Sequence, residues 1–130
     1  MTRTVRVFVY GTLLPGESNH GVASPWLVDA RPGEVNGRLV DCGLWPALVR
    51  SGDAAAGRVR GMWFTVCIEA LRVMDELEDF IGPESLNGYE RIWIRDASGQ
   101  PLEGWVYVWP DARGLPYMGV DYWPDRSKAR

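Results

Sequence analysis

Residues 4–13 read Thr-Val-Arg-Val-Phe-Val-Tyr-Gly-Thr-Leu, an alternating run that passes directly into a turn. The alternation over residues 4–9 is typical of a β-strand with one buried face. Gly11 lacks a Cβ, so its backbone can take a positive φ and a ligand can come close to it. N–H groups that leave the sheet at such a turn can point together at one anion. The stretch predicts either an anion-binding turn at Tyr10–Leu13 or a simple strand end, and the pattern alone leaves both open.

The composition is that of one globular domain, which we predict to span residues 1–130. Of these 130 residues 46% are hydrophobic and 24% charged, enough to bury a core without disulfides or a structural metal. The net charge of −3 and the scattered basic residues argue against nucleic acid as a partner. No apolar run suits a membrane span or the core of a signal peptide, so we expect a cytoplasmic protein without a membrane partner. Cys42 and Cys67 match no zinc motif, and their apolar neighbours favour buried free thiols over a disulfide.

The hydrophobic pattern predicts more strand than helix. Strands are predicted at Val5–Tyr10, Val35–Cys42, Ala47–Val49, Gly57–Val66, Tyr89–Asp96 and Glu103–Trp109. A loop is expected over Leu14–Ala30, with a short helix near His20–Leu27, and the tail after Pro110 is expected to be irregular. The one convincing helix covers Ile68–Ile81, before the stop at Gly82-Pro83. Because the strands are mostly joined by short links, we predict an α+β fold: a small, mainly antiparallel curled sheet or barrel with one main helix.

Glu78 is the anomaly of that helix. At about 100° per residue it lies roughly 20° from Leu71 and 40° from Met74, inside the apolar stripe. An unpaired carboxylate in a core is strongly disfavoured. Three interpretations remain open: an ion pair with an arginine such as Arg91, a position at the helix end that reaches water, or a place facing a ligand cavity. In a cavity, desolvation raises the pKa of a carboxyl toward the range useful for proton transfer.

Seven short segments, spread along nearly the whole chain, are informative as an ordered set. They are Tyr10-Gly11-Thr12-Leu13 with Gly16 and Asn19, Leu44-Trp45-Pro46-Ala47-Leu48, Val59-Arg60-Gly61-Met62-Trp63-Phe64, Met74-Asp75-Glu76-Leu77-Glu78, Tyr89-Glu90-Arg91, Trp105-Val106-Tyr107-Val108 and Gly119-Val120-Asp121-Tyr122-Trp123. In this order the chain resembles the γ-glutamylcyclotransferase-like superfamily, and within it the AIG2-like and γ-glutamylamine cyclotransferase branches. The chain departs from this superfamily at two positions. Asp79 stands where a glycine is common, and Met62 stands where a glutamate is frequent. These departures bear on the substrate more than on the fold.

The resemblance implies an enzyme that converts a γ-glutamyl amide to 5-oxoproline and a free amine, with Glu78 as the acid–base. It further implies a substrate site without metal or cofactor, whose expected members are Tyr10, Gly11, Thr12, Leu13, Tyr89 and Tyr107. Arg91 is expected to support the site from outside, and His20 to be a surface or capping residue. The alternative is a non-catalytic module of the same fold that binds a small ligand. The pattern does not specify the leaving amine or the oligomeric state.

Overall fold

The computed structural model describes residues 3–50, 57–80 and 89–128, and the side chains of residues 78–80 and 128 lie outside that description. The strands in these ranges are β1 (Thr4–Val9), β2 (Leu27–Asp41), β3 (Pro46–Arg50), β4 (Arg58–Cys67), β5 (Glu90–Arg95) and β6 (Glu103–Val108). The helices are α1 (His20–Ala23) and α2 (Glu69–Phe80), with 3-10 turns at Ser24–Trp26 and Trp123–Lys128.

The six strands form one curled sheet in the order β3-β2-β4-β1-β6-β5. Neighbouring strands are antiparallel, except that β1 and β6 run parallel. The curl brings β3 back to the end of β6, where the Trp109 N–H donates to the Leu48 carbonyl at 2.9 Å. The predicted α+β class with a curled, mainly antiparallel sheet is therefore confirmed.

Five of the strands begin and end within one residue of the predicted bounds, whereas β2 starts at Leu27 and not at Val35. The loop predicted over Leu14–Ala30 was wrong at its end, because Leu27, Asp29 and Ala30 pair with β4. Pro32 and Gly33, which precede the predicted start of the strand, also belong to β2. In the structure they pair across to β4, Pro32 with Met62 and Gly33 with Gly61. A Cβ on Gly33 would lie 2.4 Å from the Trp63 ring, so the glycine makes room for that side chain.

Helix α2 covers the face of the sheet formed by β1, β4 and β6. Its residues Ala70 and Met74 are fully buried in one cluster with Val7 and Phe64. The segment entering the helix is fixed beside the start of β1, because the Ile68 N–H donates to the Arg3 carbonyl at 2.9 Å. The helix end predicted at Ile81, with the stop at Gly82-Pro83, lies outside the described residues.

The turn between β5 and β6 is organised by the Asp96 carboxylate. It accepts hydrogen bonds from the Glu34 N–H at 3.0 Å, the Trp63 indole at 2.9 Å and the Ser98 N–H at 2.8 Å, which links the hairpin to β2 and β4. Partial burial alone would raise the pKa of Asp96, but the hydrogen bonds from Ser98, Trp63 and the Glu34 backbone outweigh it. The pKa of this carboxyl is therefore held below its usual value.

Both cysteines are free thiols, as predicted, and both are half-buried. Burial, assisted by the nearby Asp41 charge, raises the pKa of Cys42 to about 11, so this thiol stays protonated at neutral pH. Among the described residues, no helix is long and apolar enough to cross a membrane.

Candidate active site

The turn after β1 is closed by one backbone hydrogen bond, from the Leu14 N–H to the Gly11 carbonyl at 3.1 Å. Thr12 and Leu13 stand at its centre, and within the described ranges no acceptor lies within hydrogen-bond reach of their N–H groups. Donors in this arrangement form a small concavity for an oxygen of a ligand.

The next segment of chain folds back and supports the turn from behind. The Asn19 N–H donates to the Thr12 carbonyl at 2.8 Å, and the Asn19 side-chain amide donates to the Thr12 hydroxyl at 3.0 Å. The His20 Nδ1 lies 2.8 Å from the Leu13 carbonyl, which assigns the ring proton to Nδ1 in the neutral tautomer. His20 therefore caps this backbone, and its ring packs edge-on against Phe64.

Gly11 serves close packing rather than a left-handed backbone. It is not among the glycines with a positive φ, so the conformational freedom that a glycine allows is not used here. A Cβ at this position would lie 2.8 Å from Pro46 Cγ, a distance that Cβ contacts essentially never show. The missing side chain lets the turn sit directly on the first residue of β3.

A narrow cleft opens between this turn, the start of β3 and two tyrosines. Its lining residues are Phe8, Val9, Tyr10, Gly11, Thr12, Leu13, Trp45, Pro46, Tyr89 and Tyr107. The space for the centres of water-sized molecules is about 30 Å³, roughly what two waters need. None of the described lining side chains carries a formal charge, so an anion here would be held by N–H dipoles.

The tyrosines of the cleft donate their hydroxyl protons to the protein and fix its walls. The Tyr10 hydroxyl donates to the Tyr107 carbonyl at 2.6 Å and accepts from the Leu48 N–H at 3.1 Å, which joins β6 to β3. The Tyr89 hydroxyl donates to the Pro46 carbonyl at 2.7 Å. Six sequence-predicted substrate residues, Tyr10, Gly11, Thr12, Leu13, Tyr89 and Tyr107, thus border one cleft.

Asp75 connects helix α2 to this cleft, a contact that the sequence analysis missed. The Tyr107 hydroxyl donates to Asp75 Oδ1 at 2.5 Å, and Arg91 Nε lies 3.2 Å from the same oxygen. Arg91 and Tyr107 are paired across β5 and β6, so one carboxylate serves two cross-strand neighbours. Arg91, which the sequence analysis weighed as a partner of Glu78, therefore has Asp75 as its described partner.

Glu78 belongs to α2 by its backbone, and its side chain lies outside the described residues. The helix is anchored beside Arg3 at its start and beside Tyr107 at Asp75, so it runs from the beginning of β1 toward the cleft. Glu78 follows Asp75 by three residues, about one turn farther in that direction. The distance from its carboxyl to the Gly11–Leu13 turn remains a prediction.

Among the described residues, no three His, Cys, Asp or Glu side chains come together as a metal site would require. The groups that the cleft offers are N–H donors, tyrosine hydroxyls and aromatic walls. Such a set suits the binding of a small polar molecule with an anionic end.

The chain is similar in sequence to a known protein family and to one of its enzymes. The family model described as "Gamma-glutamyl cyclotransferase, AIG2-like" matches residues 7–125. The γ-L-glutamyl-butirosin B γ-glutamyl cyclotransferase of Niallia circulans is 36% identical over 107 residues, which cover 79% of this chain and 65% of that protein. The chain thus spans less than two thirds of that relative's length.

Two solved structures show the same fold. An AIG2-like protein of Mus musculus superposes with a TM-score of 0.67 at 24% identity, over 93% of this chain and 88% of the other. The uropathogenic E. coli-specific protein c4763 superposes with a TM-score of 0.74 at 14% identity, over 98% of both chains.

Proposed function

This chain belongs to the AIG2-like γ-glutamyl cyclotransferase family, and we propose that it converts a γ-glutamyl amide to 5-oxoproline and a free amine in the cleft described above. The observation that carries the proposal is the shared cleft of the Tyr10–Leu13 turn, Tyr89 and Tyr107. Helix α2 runs toward it with Glu78 about one turn beyond Asp75.

The reaction joins two groups of the same molecule. The α-amine nitrogen attacks the γ-carbonyl carbon, a five-membered lactam forms, and the bond from that carbon to the leaving nitrogen breaks. Holding the two groups in alignment can contribute up to about 7–11 kcal/mol. The enzyme therefore needs mainly to fold and hold the substrate, and the chemistry requires neither metal nor organic cofactor.

The unpaired N–H groups of the turn suit the substrate α-carboxylate. Within the described residues neither the Thr12 N–H nor the Leu13 N–H has an acceptor, and the neighbouring walls are apolar or aromatic. In such surroundings hydrogen bonds to an anion are stronger than in water. Binding the α-carboxylate there fixes the end of the substrate that carries the attacking amine.

Glu78 is the proposed acid–base. The α-amine is protonated at neutral pH and must lose that proton before it attacks. The leaving nitrogen must gain a proton as its bond to the γ-carbon breaks. One carboxyl can take the first proton and give it to the leaving nitrogen. The second proton, which the attacking nitrogen sheds as the lactam forms, goes to the released amine, which leaves as an ammonium, so the glutamate ends the cycle unchanged.

The test is a panel of γ-glutamyl amides, including γ-L-glutamyl-butirosin B, assayed for 5-oxoproline with a chelator present. Glu78→Gln keeps the shape and hydrogen bonding of the side chain and cannot carry a proton, so we expect kcat to fall by about 10²–10⁴-fold. The matched control is Glu76→Gln, an exposed acid on the same helix. Full activity in Glu78→Gln contradicts the mechanism. Binding without turnover across the panel favours the non-catalytic ligand module instead.

A further inference from the structure

The Trp45 indole N–H is a buried donor without an acceptor. Its Nε1 is covered by protein atoms, and no described residue accepts a hydrogen bond from it. Such donors are rare, because a buried N–H has given up its hydrogen bond to water without gaining another. Trp45 also forms part of the cleft wall. A donor in this position is suited to an acceptor that a ligand brings.

The backbone around Trp45 is fixed on both sides. The Cys42 N–H donates to the Trp45 carbonyl at 3.1 Å and closes the turn between β2 and β3. The next residue, Pro46, packs on Gly11 and accepts the Tyr89 hydroxyl. The backbone that carries the indole is therefore held on both sides, and a donor held in place can stabilise charge that develops on a nearby oxygen.

Two other tryptophans have the acceptor that the Trp45 indole lacks among the described residues. The Trp63 indole donates to Asp96 at 2.9 Å, and the Trp93 indole donates to Glu103 at 3.2 Å. Trp109 also has a buried Nε1 without a partner in the described part of the chain, but it does not line the cleft. Trp45 combines an unpaired donor with a place in the cleft wall.

We propose that the Trp45 indole N–H donates to the γ-carbonyl oxygen of the substrate. This rests on the proposed cyclotransfer reaction. The turn offers several N–H groups and suits the α-carboxylate, whereas a single donor suits a single oxygen. When the α-amine attacks, the carbonyl π electrons move to that oxygen and its negative charge strengthens the hydrogen bond. When the lactam forms, the electrons return and the leaving amine departs with its proton.

The indole N–H is covered by protein atoms. The proposed contact therefore requires that substrate binding shift the atoms that cover it.

The kinetic test removes the N–H and keeps the ring. Trp45 is replaced by 3-benzothienylalanine, in which sulfur stands for the N–H, and separately by phenylalanine. We expect kcat to fall by about 10²–10³-fold in both, with KM changed only a few-fold, because the contact strengthens in the transition state. The control Trp93→Phe alters a half-exposed indole outside the cleft and should keep the wild-type kcat. Wild-type kcat in the benzothienylalanine variant, or a raised KM alone, overturns the proposal.

A second measurement does not depend on turnover. The indole ¹H–¹⁵N resonance of Trp45, assigned by its loss in Trp45→Phe, is followed in Glu78→Gln during titration with a γ-glutamyl amide. A downfield shift with the amide, absent with an analogue whose γ-carbonyl is a methylene, supports the contact even if the wild type forms no 5-oxoproline. An unmoved indole resonance while other signals report binding overturns the contact and leaves the proposed function standing.

Discussion

Two turns at opposite ends of β6 treat their N–H donors in opposite ways. At the Asp96 turn, before β6, a carboxylate of the protein accepts from three backbone N–H groups, those of Glu34, Ser98 and Gln100, and from the Trp63 indole. At the Tyr10–Leu13 turn, by the Tyr107 end of β6, the N–H groups of Thr12 and Leu13 and the Trp45 indole have no acceptor in the described residues. The first turn shows how this fold satisfies a cluster of donors with an anion of its own. The second has the same kind of donors, and we propose that a ligand supplies the anion there.

Asp96→Ala should have the largest effect on stability. It leaves the Trp63 indole and the Glu34 N–H unpaired, so we expect about 2–4 kcal/mol lower unfolding free energy in urea. Ser98→Ala removes an exposed hydroxyl that donates to Asp96 and accepts from the Gln100 side-chain amide, and it should cost far less. Because the site is at the other end, kcat of folded Asp96→Ala should equal that of the wild type. A large loss of kcat would break the separation between the two turns.

Gly11→Ala should have the next largest effect on stability. Its Cβ would collide with the Pro46 ring, so we expect about 1–3 kcal/mol lower stability and a higher KM as turn and β3 move apart. Urea unfolding and 5-oxoproline kinetics measure the two effects. Gly21→Ala is the matched control, since a Cβ there meets nothing within 4 Å. Unchanged KM in Gly11→Ala would show that the contact with Pro46 does not shape the cleft.

Asn19→Ala tests the support behind the Tyr10–Leu13 turn. It removes the hydrogen bond to the Thr12 hydroxyl, so we expect about 0.5–1.5 kcal/mol lower stability and a KM raised a few-fold. Thr12→Val removes the other partner of the same bond. If that bond orders the turn, the double variant should lose less than the sum of the single losses. Strict additivity would argue against such ordering.

The smallest effect is in the pH dependence of stability. The pKa of Asp96 is lowered in the folded state, so its contribution is complete above the unfolded aspartate pKa of about 3.9 and is lost as pH falls through the folded pKa. Asp96→Asn should therefore lose less stability than the wild type on acidification below about pH 4. Urea unfolding at pH 6, 4 and 3 measures the slopes. If stability fell equally with pH in the wild type and in Asp96→Asn, the negative charge of Asp96 would not be what stabilises the turn.

The sequence predicted the fold where local pattern and tertiary pairing agree. The alternation of β1 and the apolar stripe of α2 locate both elements, because Val7, Val9 and Met74 are buried in one cluster and Leu71 and Leu77 pack against it. The pattern failed at Leu27–Val35, where Pro32 and Gly33 look like turn residues and join a strand only through β4. Such pairing is non-local and leaves no periodicity to detect.

The cleft was predictable only in part, for a similar reason. The family resemblance named Tyr89 and Tyr107, and the turn could be read from Gly11. Asp75 lies off the apolar stripe of α2, so its role emerges only from the pairing of Arg91 with Tyr107. That the Trp45 N–H lacks an acceptor is a property of the packed molecule.

The Tyr10 hydroxyl couples the contact between β3 and β6 to the cleft. It fastens the Tyr107 carbonyl to the Leu48 N–H, and the donor turn starts at the very next residue. Any breathing motion that parts β3 from β6 must pull on Tyr10 and so disturb the turn. A molecule bound at Thr12 and Leu13 should therefore hold β3 and β6 together. While it stays bound, the two strands should separate less often.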